Sequence, residues 1–110
     1  MSKEFVILEP QGILDGPNTN ELRLQIIDLL RGEIDSILLD LNQIEFMNSS
    51  SIGALVAILK VVRAENKKLY LCSLTDQVSM IFELTKMDRI FTTFKDRDEF
   101  NRKVIEASEA

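Results

Sequence analysis

Residues 36–62, SILLDLNQIEFMNSSSIGALVAILKVV, hold a nearly continuous apolar run, a polar connection and a second, longer apolar run. Ile37, Leu38 and Leu39, with Leu41 just beyond Asp40, lack the apolar-polar alternation of a half-buried strand. That pattern is expected of a central strand in a parallel sheet with helices on both faces. From Ile52 to Val62 only Gly53 and Lys60 interrupt the apolar residues, and the run gives way to Arg63, Glu65 and Asn66. With few strong breakers, it reads as a buried helix. The segment between, Asn42 to Asn48, reads as the loop that joins them.

On the N-terminal side, Phe5 to Leu8 is a short apolar run closed by Pro10, and Gly12 to Leu14 follows as a second extended piece. The two read as a hairpin. Asp15, Gly16, Pro17 and Asn18 are turn formers, after which Asn18 or Thr19 is expected to cap a helix. Leu22, Ile26, Leu29 and Leu30 recur on one face of that helix until Gly32. On the C-terminal side, Leu69 to Cys72 reads as a strand, and Thr75 or Asp76 as the cap of a helix bearing Val78, Ile81, Phe82 and Thr85. Ile90 to Phe94 reads as a last strand. Asp96 and Glu99 have capping-box spacing, Phe100 and Val104 mark one face of a terminal helix, and the tail from Ala107 is expected to fray.

Strands alternating with helices imply parallel pairs joined by right-handed crossovers, made mixed by one edge hairpin. The expected architecture is a single α/β domain over residues 1–110, with a mixed, mostly parallel sheet of about five strands and about four helices. At 110 residues and 45% hydrophobic the chain can build one core but not two.

Composition removes most function classes. A net charge of −5 disfavours nucleic acid and anionic membrane surfaces. The lone cysteine, Cys72, lies in an apolar run and fits a buried small hydrophobe in a reducing compartment. No secretion signal precedes the first strand, and no apolar stretch is long enough to insert in a membrane, so the expected location is the cytoplasm. The chain has no histidine, which removes the usual general base and the commonest transition-metal ligand. Phosphate-binding glycine loops are absent from the sequence. Ser49 follows a strand and opens a helix as a hydrolase nucleophile does, but the GxSxG glycines and the histidine of a triad are missing. Neither enzyme activity nor a cofactor or metal is expected.

In open α/β sheets, ligands and partners meet the protein where strands lead into helix N-termini. If Asn48 is the N-cap, Ser49, Ser50 and Ser51 form the first turn and Met47 can pack on Ile52 as a hydrophobic staple. A phosphoryl group on Ser49 would then lie at the positive end of the helix dipole, beside free amides. On spacing alone the favoured reading is that these serines are caps and first-turn residues only, because capping serines are common.

Phe46, Met47, Asn48, Ser49, Ser50, Ser51, Ile52, Gly53 resembles the signature Phe, Met, Asp, Ser, Ser or Thr, Gly, Leu, Gly of the bacterial anti-sigma factor antagonists, which are STAS domains. Gly12, Ile13, Leu14, Asp15 is similar to a second stretch of that family, before its first helix, and the order of strands and helices agrees throughout. The resemblance implies a STAS-like fold and a phosphoacceptor at Ser49. It also implies a partner surface formed by Asp15, Asn48, Ser49, Ser50, Ser51 and Gly53. The implied partner is an anti-sigma factor that is itself a serine kinase of the ATPase fold. The unmodified antagonist binds that kinase, and phosphorylation ends the binding. Two positions depart from the signature: Asn48 caps as Asp does but lacks its charge, and Ser51 adds a side chain where the family has bare backbone. A STAS scaffold or regulatory subunit of a signalling assembly or transporter, without phosphoryl control, is the alternative, and self-association is left open.

Two further features read as structural. Met80, Leu84 and Met87 fall at i, i+4 and i+7; such a stripe can be an adaptable contact surface, and gap-filling in the core is the expected role. Asp15, Asp40 and Glu45 could meet near Ser49 around Mg²⁺, although a kinase would bring its own metal.

Overall fold

The computed structural model describes residues 4–106. Its elements are β1 (Phe5–Leu8), β2 (Gly12–Leu14), α1 (Gly16–Leu29), β3 (Ser36–Asp40), β4 (Ile44–Met47), α2 (Ser49–Ala64), β5 (Lys68–Cys72), α3 (Asp76–Leu84), β6 (Thr92–Phe94) and α4 (Arg97–Phe100). A 3-10 turn, Met87–Arg89, precedes β6, and α4 runs on as a π-helical segment, Asn101–Glu106.

Four strands form one sheet in the order β1-β3-β5-β6, while β2 and β4 form a separate two-stranded ribbon. Every pairing among the described residues is parallel. The expected edge hairpin does not form: β1 pairs with β3 and β2 with β4. Gly12 is the reason. Its φ of 79° turns the chain out of the line of β1, and its amide donates to the Gln43 carbonyl at 2.9 Å. The stretch expected to be a loop therefore contains β4, recruited as the partner of β2. Its burial runs buried, exposed, exposed, buried, a sequence that carries no clear strand period.

Period-two alternation in the central strands divides the core. Ile37, Leu39, Leu69 and Leu71 face one side, where Leu22 and Ile26 of α1, Leu55, Ile58, Leu59 and Val62 of α2, and Val78 and Phe82 of α3 cover them. Leu38 and Cys72 face the other side, where Phe100 packs with Phe5, Tyr70 and Phe94. Edge-to-face ring contacts at 5.3 to 5.7 Å join Phe100 to these three aromatics. Ile37, Leu38 and Leu39 are accordingly all inaccessible to solvent, as a strand covered on both faces requires.

Local chemistry sets the helix ends. α1 begins three residues earlier than expected because Asp15, not Asn18 or Thr19, is the N-cap; its side chain accepts from the Asn18 amide at 3.1 Å. Pro17 fits the first turn, where its missing N–H costs nothing. Thr75 caps α3 and Asp96 caps α4, the latter accepting from the Glu99 amide. The Glu99 carboxylate reaches back to the amide of Lys95, one residue short of a full capping box. The last strand is shorter than expected: Ile90 is exposed at the end of the 3-10 turn, and pairing starts at Thr92. The tail from Ala107 lies outside the described residues.

Asp40, at the end of β3, is a buried acidic side chain. Arg97 Nε donates to its Oδ2 at 2.6 Å, and the Asn42 amide donates to Oδ1 at 3.0 Å. Arg97 Nη2 also reaches Glu9 Oε2 at 3.0 Å. The bond to Asp40 raises the Arg97 pKa further above its already high value, so the guanidinium stays charged at any ordinary pH. Replacing Arg97 by Ala leaves the Asp40 carboxylate buried with one backbone donor. We expect a loss of about 1–3 kcal/mol, reduced from the fully buried case because Arg97 is half exposed. Glu9→Gln should change stability by less than about 0.5 kcal/mol. Urea unfolding of both variants measures the difference.

Candidate functional site

The parallel pairing of β2 with β4 places Leu14 opposite Met47, and each strand hands its chain to a helix one residue later. Asp15 and Asn48, the N-caps of α1 and α2, therefore emerge at the same end of the ribbon. Two helix dipoles present their positive ends side by side, and in the first turn of α2 the caps leave the Ser49 and Ser50 amides without a carbonyl partner among the described residues.

Asn48 Oδ1 accepts from the Ser51 amide at 2.9 Å, and the Ser51 hydroxyl receives the Asn48 amide at 3.4 Å, completing a capping box with Ser in place of Glu or Gln. The same hydroxyl donates to the carbonyl oxygen of Leu14, at the end of β2. One side chain thus ties the first turn of α2 to the strand that leads into α1. Met47 and Ile52 flank the cap and lie in the same core, as a hydrophobic staple requires.

This geometry corrects one member of the expected partner surface. Ser51 is only 1% exposed, because the third helical position points back at the cap and inward to Leu14. Its side chain cannot meet a partner. Asp15, Asn48, Ser49, Ser50 and Gly53 are all exposed. A Cβ on Gly53 would meet nothing within 4 Å, so packing does not demand glycine there. Ser49 is the first helical residue, and its hydroxyl lies beside amides that no helical carbonyl can reach.

The exposed apolar residues next to this site were not singled out by sequence. Ile13 and Phe46 are cross-strand neighbours in β2 and β4, and each is nearly half exposed, at 48% and 44%. Their signal, apolar positions inside the β2–β4 ribbon, is visible only once β4 is known to be a strand. The expectation that Met80, Leu84 and Met87 fill core gaps holds for Met87, which packs on the core. It fails for Met80 and Leu84, which are 59% and 76% exposed. Val78 and Phe82 take the buried face of α3, and the Met80–Leu84 stripe lies away from it.

Other chemistry has little to work with. Asp40 is engaged by Arg97 and does not join Asp15 and Glu45. Among the described residues no group of three or more His, Cys, Asp or Glu gathers in a way that could hold a metal. Burial pushes the Cys72 thiol up from its ordinary pKa, away from the thiolate a nucleophile needs.

Comparison with known proteins identifies the family and the fold. The STAS-domain family profile matches residues 2–100. The chain belongs to the STAS-domain family. An anti-sigma-B factor antagonist from Staphylococcus aureus is 26% identical over 82 residues, covering 74% of this chain and 76% of the relative. A solved putative anti-sigma factor antagonist from Thermotoga maritima superposes with a TM-score of 0.80 at 29% identity, covering 90% of this chain and 86% of the other. The anti-sigma factor antagonist SpoIIAA in its unphosphorylated form superposes with a TM-score of 0.74 at 19% identity, covering 92% and 89%, and shares the fold.

The hydrogen bonds separate the three serines into one structural and two free. Ser51→Ala loses the bonds to Leu14 and to the Asn48 amide in a buried setting and should cost about 1–2 kcal/mol. Ser49→Ala and Ser50→Ala should stay within about 0.5 kcal/mol of the parent. Thermal and urea unfolding of the three variants tests the division.

Proposed function

We propose that this chain is a non-catalytic, cytoplasmic regulator that binds an anti-sigma factor serine kinase of the ATPase fold and is switched off by phosphorylation of Ser49. The observation that carries the reading is the position of Ser49: exposed, first in its helix, and beside the N-terminus of a second helix. The relatives named as anti-sigma factor antagonists supply the class of partner. Among the described residues no helix is long and apolar enough to cross a membrane.

The contact surface of this reading consists of Asp15, Asn48, Ser49, Ser50 and Gly53, with Ile13 and Phe46 as apolar contacts beside them. A phosphoryl group adds between one and two negative charges at pH 7. In the free protein the first-turn amides and the helix dipole tolerate that charge. In a closely packed interface the same charge must be desolvated, and the exposed Asp15 carboxylate at the neighbouring cap adds like-charge repulsion. The modification therefore acts on the complex rather than on the fold. The Ser51 departure from the family signature leaves the outer surface unchanged, because the hydroxyl turns inward. Asn48 removes a negative charge next to the acceptor.

The missing charge at Asn48 is also what favours a second reading, a STAS scaffold or regulatory subunit of a signalling assembly or transporter without phosphoryl control. Incubation with each anti-sigma kinase of the source genome and ATP, followed by mapping of the modified residue, separates the two. Labelling should fall on Ser49 and vanish in Ser49→Ala, which should keep its affinity for the kinase. Ser49→Asp should weaken binding by roughly tenfold or more with an unchanged unfolding midpoint. Labelling of Ser49→Ala as strongly as the parent would refute the switch, and capture of a scaffold or transporter with no kinase bound would support the second reading.

A further inference from the structure

At the far end of α2 from Ser49, some 14 residues and roughly 20 Å along the helix axis, the sheet has a notch. β5 pairs with β3 along its whole length, from Lys68 to Cys72, but β6 begins only opposite Tyr70. The edge of β5 at Lys68 and Leu69 is therefore uncovered by β6. The end of α2 closes the notch on one face of the sheet and the π-helical segment closes it on the other. The result is a cavity of about 630 Å³, within the size range of small-molecule sites.

Its charge is one-sided. Arg63, Lys67, Lys68 and Lys103 line it and no carboxylate does, in a chain whose net charge is −5. Two of the cations are held in place by backbone carbonyls: Lys67 Nζ donates to Gly32 and Ile34 at 3.0 and 2.7 Å, and Arg63 Nη2 donates to Ile90 at 3.3 Å. Those carbonyls belong to residues outside the cavity wall, so they hold Arg63 and Lys67 at its rim without neutralising them. Among the described residues Arg97 alone makes ion pairs, so all four cations keep their charge uncompensated by direct contact. Asp35 lines the smaller adjoining cavity, where its carboxylate accepts the Glu4 amide. Leu69 and Phe94 supply apolar wall.

The geometry points to a second ligand site in this notch, separate from the Ser49 surface, for a small organic anion. Its carboxylate or phosphate head group is met by Arg63, Lys67, Lys68 and Lys103, and its apolar body lies against Leu69 and Phe94. Like-charged side chains gathered in one cleft repel each other, and an anion that bridges them relieves that repulsion. A neutral molecule of the same shape gains only the apolar contact.

Titration of the ¹⁵N-labelled full chain with phenyl phosphate, benzoate and phenol tests the site by amide shifts. Phenyl phosphate or benzoate should move the amides of Lys67 to Tyr70, Thr92 and Lys103 in a saturable way, with an affinity on the order of millimolar for ligands so small. The tighter of the two identifies the head group. The double variant Lys68→Glu, Lys103→Glu, and the milder Lys68→Gln, Lys103→Gln, should weaken binding roughly tenfold and roughly threefold while keeping a dispersed spectrum. No saturable shift at these amides with either anion, equal binding of phenol, or unchanged affinity in the folded glutamine variant overturns the assignment.

Discussion

The site rests on the parallel contact between β2 and β4, locked by the Ser51 hydroxyl on the Leu14 carbonyl. Neither strand belongs to the main sheet, and each is only three or four residues long. An isolated two-stranded ribbon is marginal in water. This one is held because Leu14, Ile44 and Met47 drop into the core shared with α1, α2 and α3. Burial of those three side chains fixes where the two strands end, and where they end is where both helices begin. The Ser51 bond then sets the first turn of α2 against the last residue of β2.

The helix that carries Ser49 is anchored along its length. Leu55, Ile58, Leu59 and Val62 are buried against the sheet, while Ser49, Ser50 and Gly53 remain in solvent at its start. A rigid helix with an open N-terminus suits a switch that works by charge. In the proposed switch a phosphoryl group on Ser49 changes what can approach, and the fold behind it does not have to move. This contrasts with switches in which phosphorylation orders or melts a segment, where the free protein must have two states.

The two faces of the sheet are stabilised differently. Three helices cover one face with mainly aliphatic packing, in which Phe82 and Phe91 make one ring contact. The opposite face is closed by a short terminal helix whose hold depends on an aromatic cluster around Phe100 and on Arg97 reaching Asp40 and Glu9. Both the ion pair and the ring cluster join residues near the C-terminus to strands formed much earlier in the chain. The uncovered edge of β5 lies at the margin of this thinner layer, and the cavity of about 630 Å³ opens there.

Sequence by itself determined the class of fold, because local pattern carries it. The doubly covered strand Ser36–Asp40 and the buried helix that follows are written in apolar runs. Asn48 as a cap follows from spacing that a single helical turn enforces, and so does the place of Ser49 at the first helical position. What only the tertiary structure decided concerns which distant backbones meet. A run of three or four apolar residues pairs as well with one strand as with another, so the choice of β4 over β1 as partner of β2 came from the turn at Gly12 and from the burial of Ile44 and Met47. That choice turned a supposed loop into a strand and exposed Ile13 and Phe46 side by side. It also drew Ser51 inward to a carbonyl 37 residues away. The exposure of Met80 and Leu84 was undecidable from sequence for the same reason: the spacing of a stripe says that residues share a face, and only the packed neighbours say whether that face looks at the core or at water.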